Sequence, residues 1–125
     1  MTILSTFSVQ SPKFRSFVKD KDVNFIELSR FAQPFDFVFP VGNENSKIKT
    51  EYSKELQEIF EADESKVFVI TNIQNTLPEI QYLLSDIMIS QEAKSNIKSN
   101  VVFLLDYCKD KEALPQPFMA RMIPL

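Results

Sequence analysis

Carboxylates are the side chains present in sufficient number to support acid–base chemistry. They recur in close pairs along the chain: Asp20 with Asp22, Glu58 with Glu61, Asp63 with Glu64, and Asp106 with Asp110. Catalytic acids must converge in a cleft whose surroundings separate their pKa values. These pairs fall in expected turns or on an exposed helix face, where carboxylates are solvated. The sequence therefore predicts that the protein is not an enzyme, with a small enzyme using carboxylates in a barrel mouth as the alternative.

Asp86 is different because it lies inside an apolar run, Leu-Leu-Ser-Asp-Ile-Met-Ile. A charge in a strand covered on both faces would need a partner. The other interpretation, which we favour, puts Asp86 on an outward face that it shares with Tyr82 and Ser90.

The chain has no histidine, one cysteine (Cys108) and one glycine (Gly42). These counts argue against the usual zinc sites, Ser-His or Cys-His nucleophiles and Gly-rich phosphate loops, so neither cofactor nor metal is expected. Residues 1–20 lack the apolar core of a signal peptide, and no apolar run is long enough to span a membrane. Together with a single cysteine, these features predict a cytoplasmic protein.

A net charge of −3 argues against a nucleic-acid surface and is compatible with a basic protein partner. The lysines are interleaved with acidic or polar residues rather than with aromatic ones: Lys47 and Lys49, Lys94 and Lys98, Lys109 and Lys111. A stacking platform for RNA requires exposed aromatic rings next to positive charge. The prediction is ordinary solvated loops with no direct nucleic-acid binding.

Short apolar or alternating segments separated by polar turns predict six strands. Their approximate ranges are 3–9, 23–28, 35–41, 66–73, 80–90 and 101–107. One segment has a helical period instead, because Tyr52, Leu56, Ile59 and Phe60 form a single stripe. This predicts a helix at about residues 53–61, with Ser53 as its N-cap.

One helix cannot supply the crossovers of a parallel sheet, so the predicted fold is mainly β. It is a small antiparallel β-barrel or sandwich with one inserted helix. A single domain covers residues 1–125, and its proline-containing end, residues 108–125, is predicted to be an irregular arm.

Phe35, Phe37 and Phe39 alternate on one face and have two possible roles. They could pack in a phenylalanine-rich core, or they could form an exposed patch on an edge strand. Pro40 cannot donate a ladder hydrogen bond, so this strand ends there or runs along an edge. Such an edge could bind an extended peptide.

The run from Phe35 to Phe103 resembles the flagellar assembly factor FliW family. The matching segments are FDFVFPV, SKELQEIFEADES, KVFVITNI, LPEIQ, YLLSDIMIS and NVVFLL, and the final RMIPL is similar to an R-x-P-L ending in that family. The chain departs from the family at four positions. Tyr82 replaces an Asn, Ser85-Asp86 replaces Ala-Pro, and Asn100 replaces a Gln.

The resemblance implies a non-catalytic β-barrel protein that binds flagellin as a chaperone and antagonises the translational repressor CsrA. It also implies candidate partner-binding residues: Phe39, Pro40, Tyr82, Ser85, Asp86 and Asn100. The departures favour an alternative, a generic β-barrel protein-binding module or secretion chaperone with another partner.

Overall fold

The computed structural model describes residues 1–94, 96–105 and 114–125. In this part of the chain the strands are Thr2–Thr6 (β1), Asp22–Glu27 (β2), Val38–Glu44 (β3), Lys47–Tyr52 (β4), Lys66–Thr71 (β5), Asn100–Leu104 (β6) and Ile123–Pro124 (β7). The helices are Pro12–Val18 (α1), Lys54–Glu61 (α2), Pro78–Glu92 (α3) and Gln116–Arg121 (α4). Single 3₁₀ turns occur at Pro34–Asp36 and Ile73–Asn75.

The main sheet is parallel and has the strand order β2-β5-β6-β1-β7, while β3 and β4 form a separate antiparallel hairpin. The predicted antiparallel barrel or sandwich with one helix is therefore wrong. The prediction failed because it found one crossover helix, whereas α1, α2, α3 and α4 each lie between successive strands of the parallel sheet.

Helices cover both faces of the sheet, but unequally. On one face, Phe14 of α1 packs in a small cluster with Leu4, Val67, Val69 and Val102. The opposite face carries the larger core, which contains buried residues of α2, α3 and α4. This division follows from right-handed crossovers, because the connection from β1 to β2 runs across the sheet in the direction opposite to the later ones.

Helix α2 agrees with the prediction in its range and its cap. The Ser53 hydroxyl accepts a hydrogen bond from the backbone N–H of Leu56 at 3.3 Å. Leu56 and Ile59 are buried, as the helical stripe predicted. The local pattern was sufficient here because this helix is strongly two-sided.

Helix α3 replaces the predicted strand at residues 80–90. Pro78 occupies its first turn, where the missing N–H costs nothing. The buried residues Ile80, Leu84, Ile87 and Met88 recur at intervals of three and four, so they form one helical stripe. The same run also fits the alternating pattern of a strand, because apolar residues occur on the other sides of the helix as well.

The hairpin β3–β4 extends away from the main core. Its turn residues Asn45 and Ser46 both have positive φ, 52° and 65°, as expected for a two-residue hairpin turn. The pairing shifts between Pro40 and Gly42, and Gly42 has a φ of 154° that other residues rarely adopt. The two strands include most of the polar segment at residues 42–47.

The predicted irregular arm at residues 108–125 lies partly outside the described residues. Within residues 114–125 the chain forms α4 and then β7, which pairs with β1 through Leu4 and Ile123. The buried side chain of Phe118 anchors α4 to the core.

The turn before β5 contains a carboxylate with a shifted pKa. The Ser65 hydroxyl and backbone N–H both donate to Asp63, and these hydrogen bonds lower the pKa of its carboxyl group. Because the pKa of Asp63 is lower in the folded chain than in the unfolded chain, its ionised carboxylate stabilises the fold at pH values above the unfolded pKa. This contribution is lost as the pH falls through the folded pKa.

Replacing Ser65 by Ala should raise the pKa of Asp63 toward its ordinary value, because the hydroxyl is the largest cause of the shift. Carboxyl ¹³C NMR titration measures this directly. Lys66→Gln is the control, since the Lys66 charge is the smallest of the four causes and its removal should change the pKa less. An unchanged pKa in Ser65→Ala would contradict the assignment.

Candidate functional site

A cavity of about 440 Å³ lies where β2 ends, and we call it the β2-end pocket. Its floor is apolar and is built from both the sheet and the helices that cover it: Ile26, Ile70, Phe37, Leu56, Ile59 and Leu84. Ile26 and Ile70 face each other in the parallel register of β2 and β5. The segment from Ser29 to Phe37 forms one wall and the first turn of α2 forms another.

Acidic side chains occur at the mouth of the β2-end pocket, and none of the described residues that line it is a lysine or an arginine. Asp36 ends the 3₁₀ turn, where its carboxylate accepts a hydrogen bond from the N–H of Gln33 at 2.7 Å. Glu55 is exposed in the first turn of α2. Glu27 also lines the cavity, but alternation along β2 points its side chain to the opposite face from Ile26.

A second cavity, of about 390 Å³, lies at the carboxyl ends of β1, β5 and β6. The connections after β1 and β6 run in opposite directions across the sheet, so this is the topological switch point where α/β folds commonly bind ligands. Its polar lining consists mostly of amides. Asn72 donates to the carbonyl of Leu28 at 2.6 Å, and Asn75 donates to the Asn72 side-chain oxygen.

The segment between β1 and α1 does not form a phosphate-binding loop. Residues 7–14 read Phe-Ser-Val-Gln-Ser-Pro-Lys-Phe and contain no glycine. The backbone N–H of Phe14 is already bonded to the Ser11 hydroxyl at 3.2 Å, and Pro12 has no N–H to offer. This end of α1 is therefore satisfied by its own residues.

Three of the predicted partner-binding residues lie on α3, where Tyr82 and Asp86, four residues apart, share a face that Ser85 does not. Tyr82 and Asp86 are exposed, whereas Ser85 is buried. Tyr82 lines a third cavity, of about 580 Å³, between the start of α3 and Pro115. The exposure of Asp86 agrees with the outward interpretation, although the surface is a helix rather than a strand.

The other three predicted residues lie elsewhere. Asn100 begins β6, and its side chain is buried and donates to the carbonyls of Glu64 and Lys66 at 3.1 and 3.3 Å. Phe39 and Pro40 lie on β3 of the hairpin, half-buried and exposed respectively. The six residues are thus not brought together, and Asn100 has a structural role in holding the start of β5.

The structure separates the phenylalanines for which two roles were possible. Phe37 is buried, whereas Phe35 is 72% exposed and lies in the 3₁₀ turn Pro34–Asp36 rather than in the predicted strand. Phe31, for which no role was predicted, is 71% exposed. Both exposed rings flank residues of the β2-end pocket.

Among residues 1–94, 96–105 and 114–125, no group of three or more potential metal ligands comes together. In that same part of the chain, no helix combines the length and apolarity needed to cross a bilayer.

Asp86→Ala should change the free energy of unfolding by less than about 0.5 kcal/mol, because the side chain is exposed on α3. Urea denaturation measures the difference. Ser85→Asp is the contrasting variant, since it puts a charge at a buried neighbouring position and should destabilise strongly. A loss of stability in Asp86→Ala comparable to that in Ser85→Asp would show that Asp86 is structural.

The comparisons with known proteins found no match. No family model matches the chain, and neither a curated protein nor a solved structure shows significant similarity.

Proposed function

We propose that this chain is a non-catalytic protein-binding module built on a nucleotide-binding type of fold that lacks a phosphate site. Numbered among themselves, the five parallel strands have the order 2-3-4-1-5. Open parallel sheets with helices on both faces include nucleotide-binding folds. A shared topology does not establish a shared function. Whether the chain can bind a nucleotide therefore depends on the residues at the carboxyl ends of the strands.

Those residues do not favour nucleotide binding. A P-loop has the pattern G-x-x-x-x-G-K-[ST] between a strand and a helix, and its glycines allow the backbone to surround phosphate. Residues 7–14 have Lys13 but none of the glycines. The ends of β1 and β5, at Thr6 and Thr71-Asn72, also lack the carboxylate that would hold Mg²⁺.

The observation that carries the protein-binding proposal is the number of large apolar side chains left in solvent. Phe31 and Phe35, both more than half exposed, form one apolar group beside the β2-end pocket. Phe25 and Ile123 are also more than half exposed, but they lie singly on β2 and β7, at opposite edges of the sheet. Isolated exposed apolar residues are common, but clustered ones mark surfaces that bind other proteins.

Flagellin and CsrA stay as predictions of the family resemblance, and the fold gives them no support. The resemblance implied a β-barrel, and its YLLSDIMIS strand lies in α3. The module proposed here therefore has no named partner. We also place it in the cytoplasm, on the basis of the single cysteine.

The absence of nucleotide binding is tested by differential scanning fluorimetry with ATP, GTP or NAD at millimolar concentration, each with and without Mg²⁺. We expect no shift in Tm, because a ligand that binds the native state must raise it. A saturable increase with any of the three nucleotides would overturn this part of the proposal.

Protein binding is tested by site-specific photocrosslinking in the native cell. A benzoylphenylalanine at position 25, 31, 35 or 123 should give a discrete adduct with another protein from at least one site. The control position is Glu58, which is exposed on α2 and is none of these four apolar residues, and it should give no adduct. If all four sites behave like the control, the chain is not a protein-binding module.

A further inference from the structure

We propose that the β2-end pocket receives a protein segment in which a lysine or arginine stands beside an aliphatic or aromatic side chain. This inference rests on the proposed protein-binding function and specifies its partner. The argument uses the shape of the pocket, the charge at its mouth and the rings beside it.

The pocket has room for an apolar anchor and part of its neighbours. Its 440 Å³ lies within the range of ordinary ligand pockets and exceeds the volume of one side chain. Leu56, Ile59 and Leu84 contribute its floor and are almost fully buried, so an inserted apolar side chain would meet a firm apolar surface. Removing that side chain from water is the main source of affinity.

The charge at the mouth selects a cation next to the anchor. Asp36 belongs to the wall from Ser29 to Phe37 and Glu55 to the wall formed by α2, and among the described residues no lysine or arginine belongs to the lining. The backbone N–H of Leu56, in the first turn of α2, is not free to bind an anion, because it donates to the Ser53 hydroxyl. It therefore does not offset the negative charge of Asp36 and Glu55. An acidic rim attracts basic segments and disfavours acidic ones.

The exposed phenyl rings of Phe31 and Phe35 also favour a cation beside the pocket. Arg30 already places its guanidinium 4.7 Å from the centroid of the Phe31 ring, so this segment supports a cation–π contact within the chain. Phe35, on the other side of Ala32, presents a second ring next to the pocket. The apolar surface thus continues beyond the cavity, as expected for a peptide chain rather than for a small compact ligand.

The test is selection of a random dodecapeptide phage library on the purified full-length chain, followed by fluorescence polarisation with the enriched peptides. We expect enrichment of Lys or Arg adjacent to Leu, Ile or Phe. The double variant Asp36→Asn/Glu55→Gln should weaken binding about tenfold, the combined effect of two exposed charge pairs. Asn at position 36 keeps an oxygen that can accept from Gln33.

The matched control is Glu58→Gln/Glu61→Gln, which removes the same charge from α2 away from the pocket and should change affinity less than twofold. Phe35→Ala should also weaken binding severalfold. Ala32→Leu adds volume at the pocket wall and should abolish peptide binding. Circular dichroism checks that this variant is folded.

Four outcomes would overturn the inference, the first three of which concern the peptide selection and its variants. Those three are enrichment of acidic peptides, an equal effect of the two double variants, and no enrichment at all. Binding of a compact organic cation in place of peptides would identify a small-molecule site and would also overturn it. If photocrosslinks still form at Phe25 or Ile123, the protein-binding function survives and only the pocket assignment fails.

Discussion

Phe118→Ala should lower the free energy of unfolding by about 3–5 kcal/mol, the largest effect we expect from a single truncation. Phe118 is completely buried, and its ring meets that of Phe103 edge to face at 4.9 Å. The substitution removes a ring from the core and also releases α4, whose only buried residue is Phe118. Total stabilities of domains are about 5–15 kcal/mol, so the loss is a large fraction.

Urea denaturation monitored by circular dichroism measures this loss, and Phe35→Ala is the matched control. The chemical change is identical, but Phe35 is exposed and should cost less than about 0.5 kcal/mol. If the two variants lost similar stability, α4 would not be docked on the core as described.

Leu84→Ala should destabilise by about 2–5 kcal/mol, whereas Tyr82→Ala should cost less than about 1 kcal/mol. The pair distinguishes the helix from the strand first predicted for this run. Along a strand, Tyr82 and Leu84 would share a face and a similar burial. In α3, Leu84 is 1% exposed and Tyr82 is 61% exposed.

The same urea titrations measure both variants, and Leu84→Met is a useful third. It conserves volume and should lose less than about 1.5 kcal/mol, which shows that the cost of Leu84→Ala comes from the cavity. Equal losses in Leu84→Ala and Tyr82→Ala would favour the strand.

Local pattern was enough for those parts of the fold whose signal lies within one short segment. The range of α2 and the cap at Ser53 were predicted correctly, because a hydroxyl N-cap and a helical stripe act over a few residues. The strands near residues 2–6, 22–27, 66–71 and 100–104 were also found, since β-branched runs favour them.

The parallel arrangement could not be predicted in the same way. It depends on helices whose local signals are weak, such as the seven-residue α1 and the six-residue α4, which has Pro115 before it and Pro117 in its first turn. The run from Ile80 to Ser90 fits both periods because apolar residues surround much of α3. Once α3 was read as a strand, the count of crossovers excluded a parallel sheet.

The candidate site depends on contacts between distant segments, which no local pattern contains. The β2-end pocket joins Ile26 to Leu56 and Leu84, three residues from three different elements. Both of the roles considered for the alternating phenylalanines occur, because Phe37 is buried in the core and Phe35 is exposed. Composition sets how many rings a chain has, not which of them the fold covers.

The position of β1 has a consequence for how the chain acquires its structure during synthesis. Both of its neighbours, β6 and β7, come from residues 100–104 and 123–124, so they leave the ribosome long after residues 2–6. The β2–β5 ladder can form well before them, so β1 has neither of its strand partners until the segment from β2 to β6 has been made. Such sequence-distant pairing slows folding and leaves the nascent chain open to misassociation.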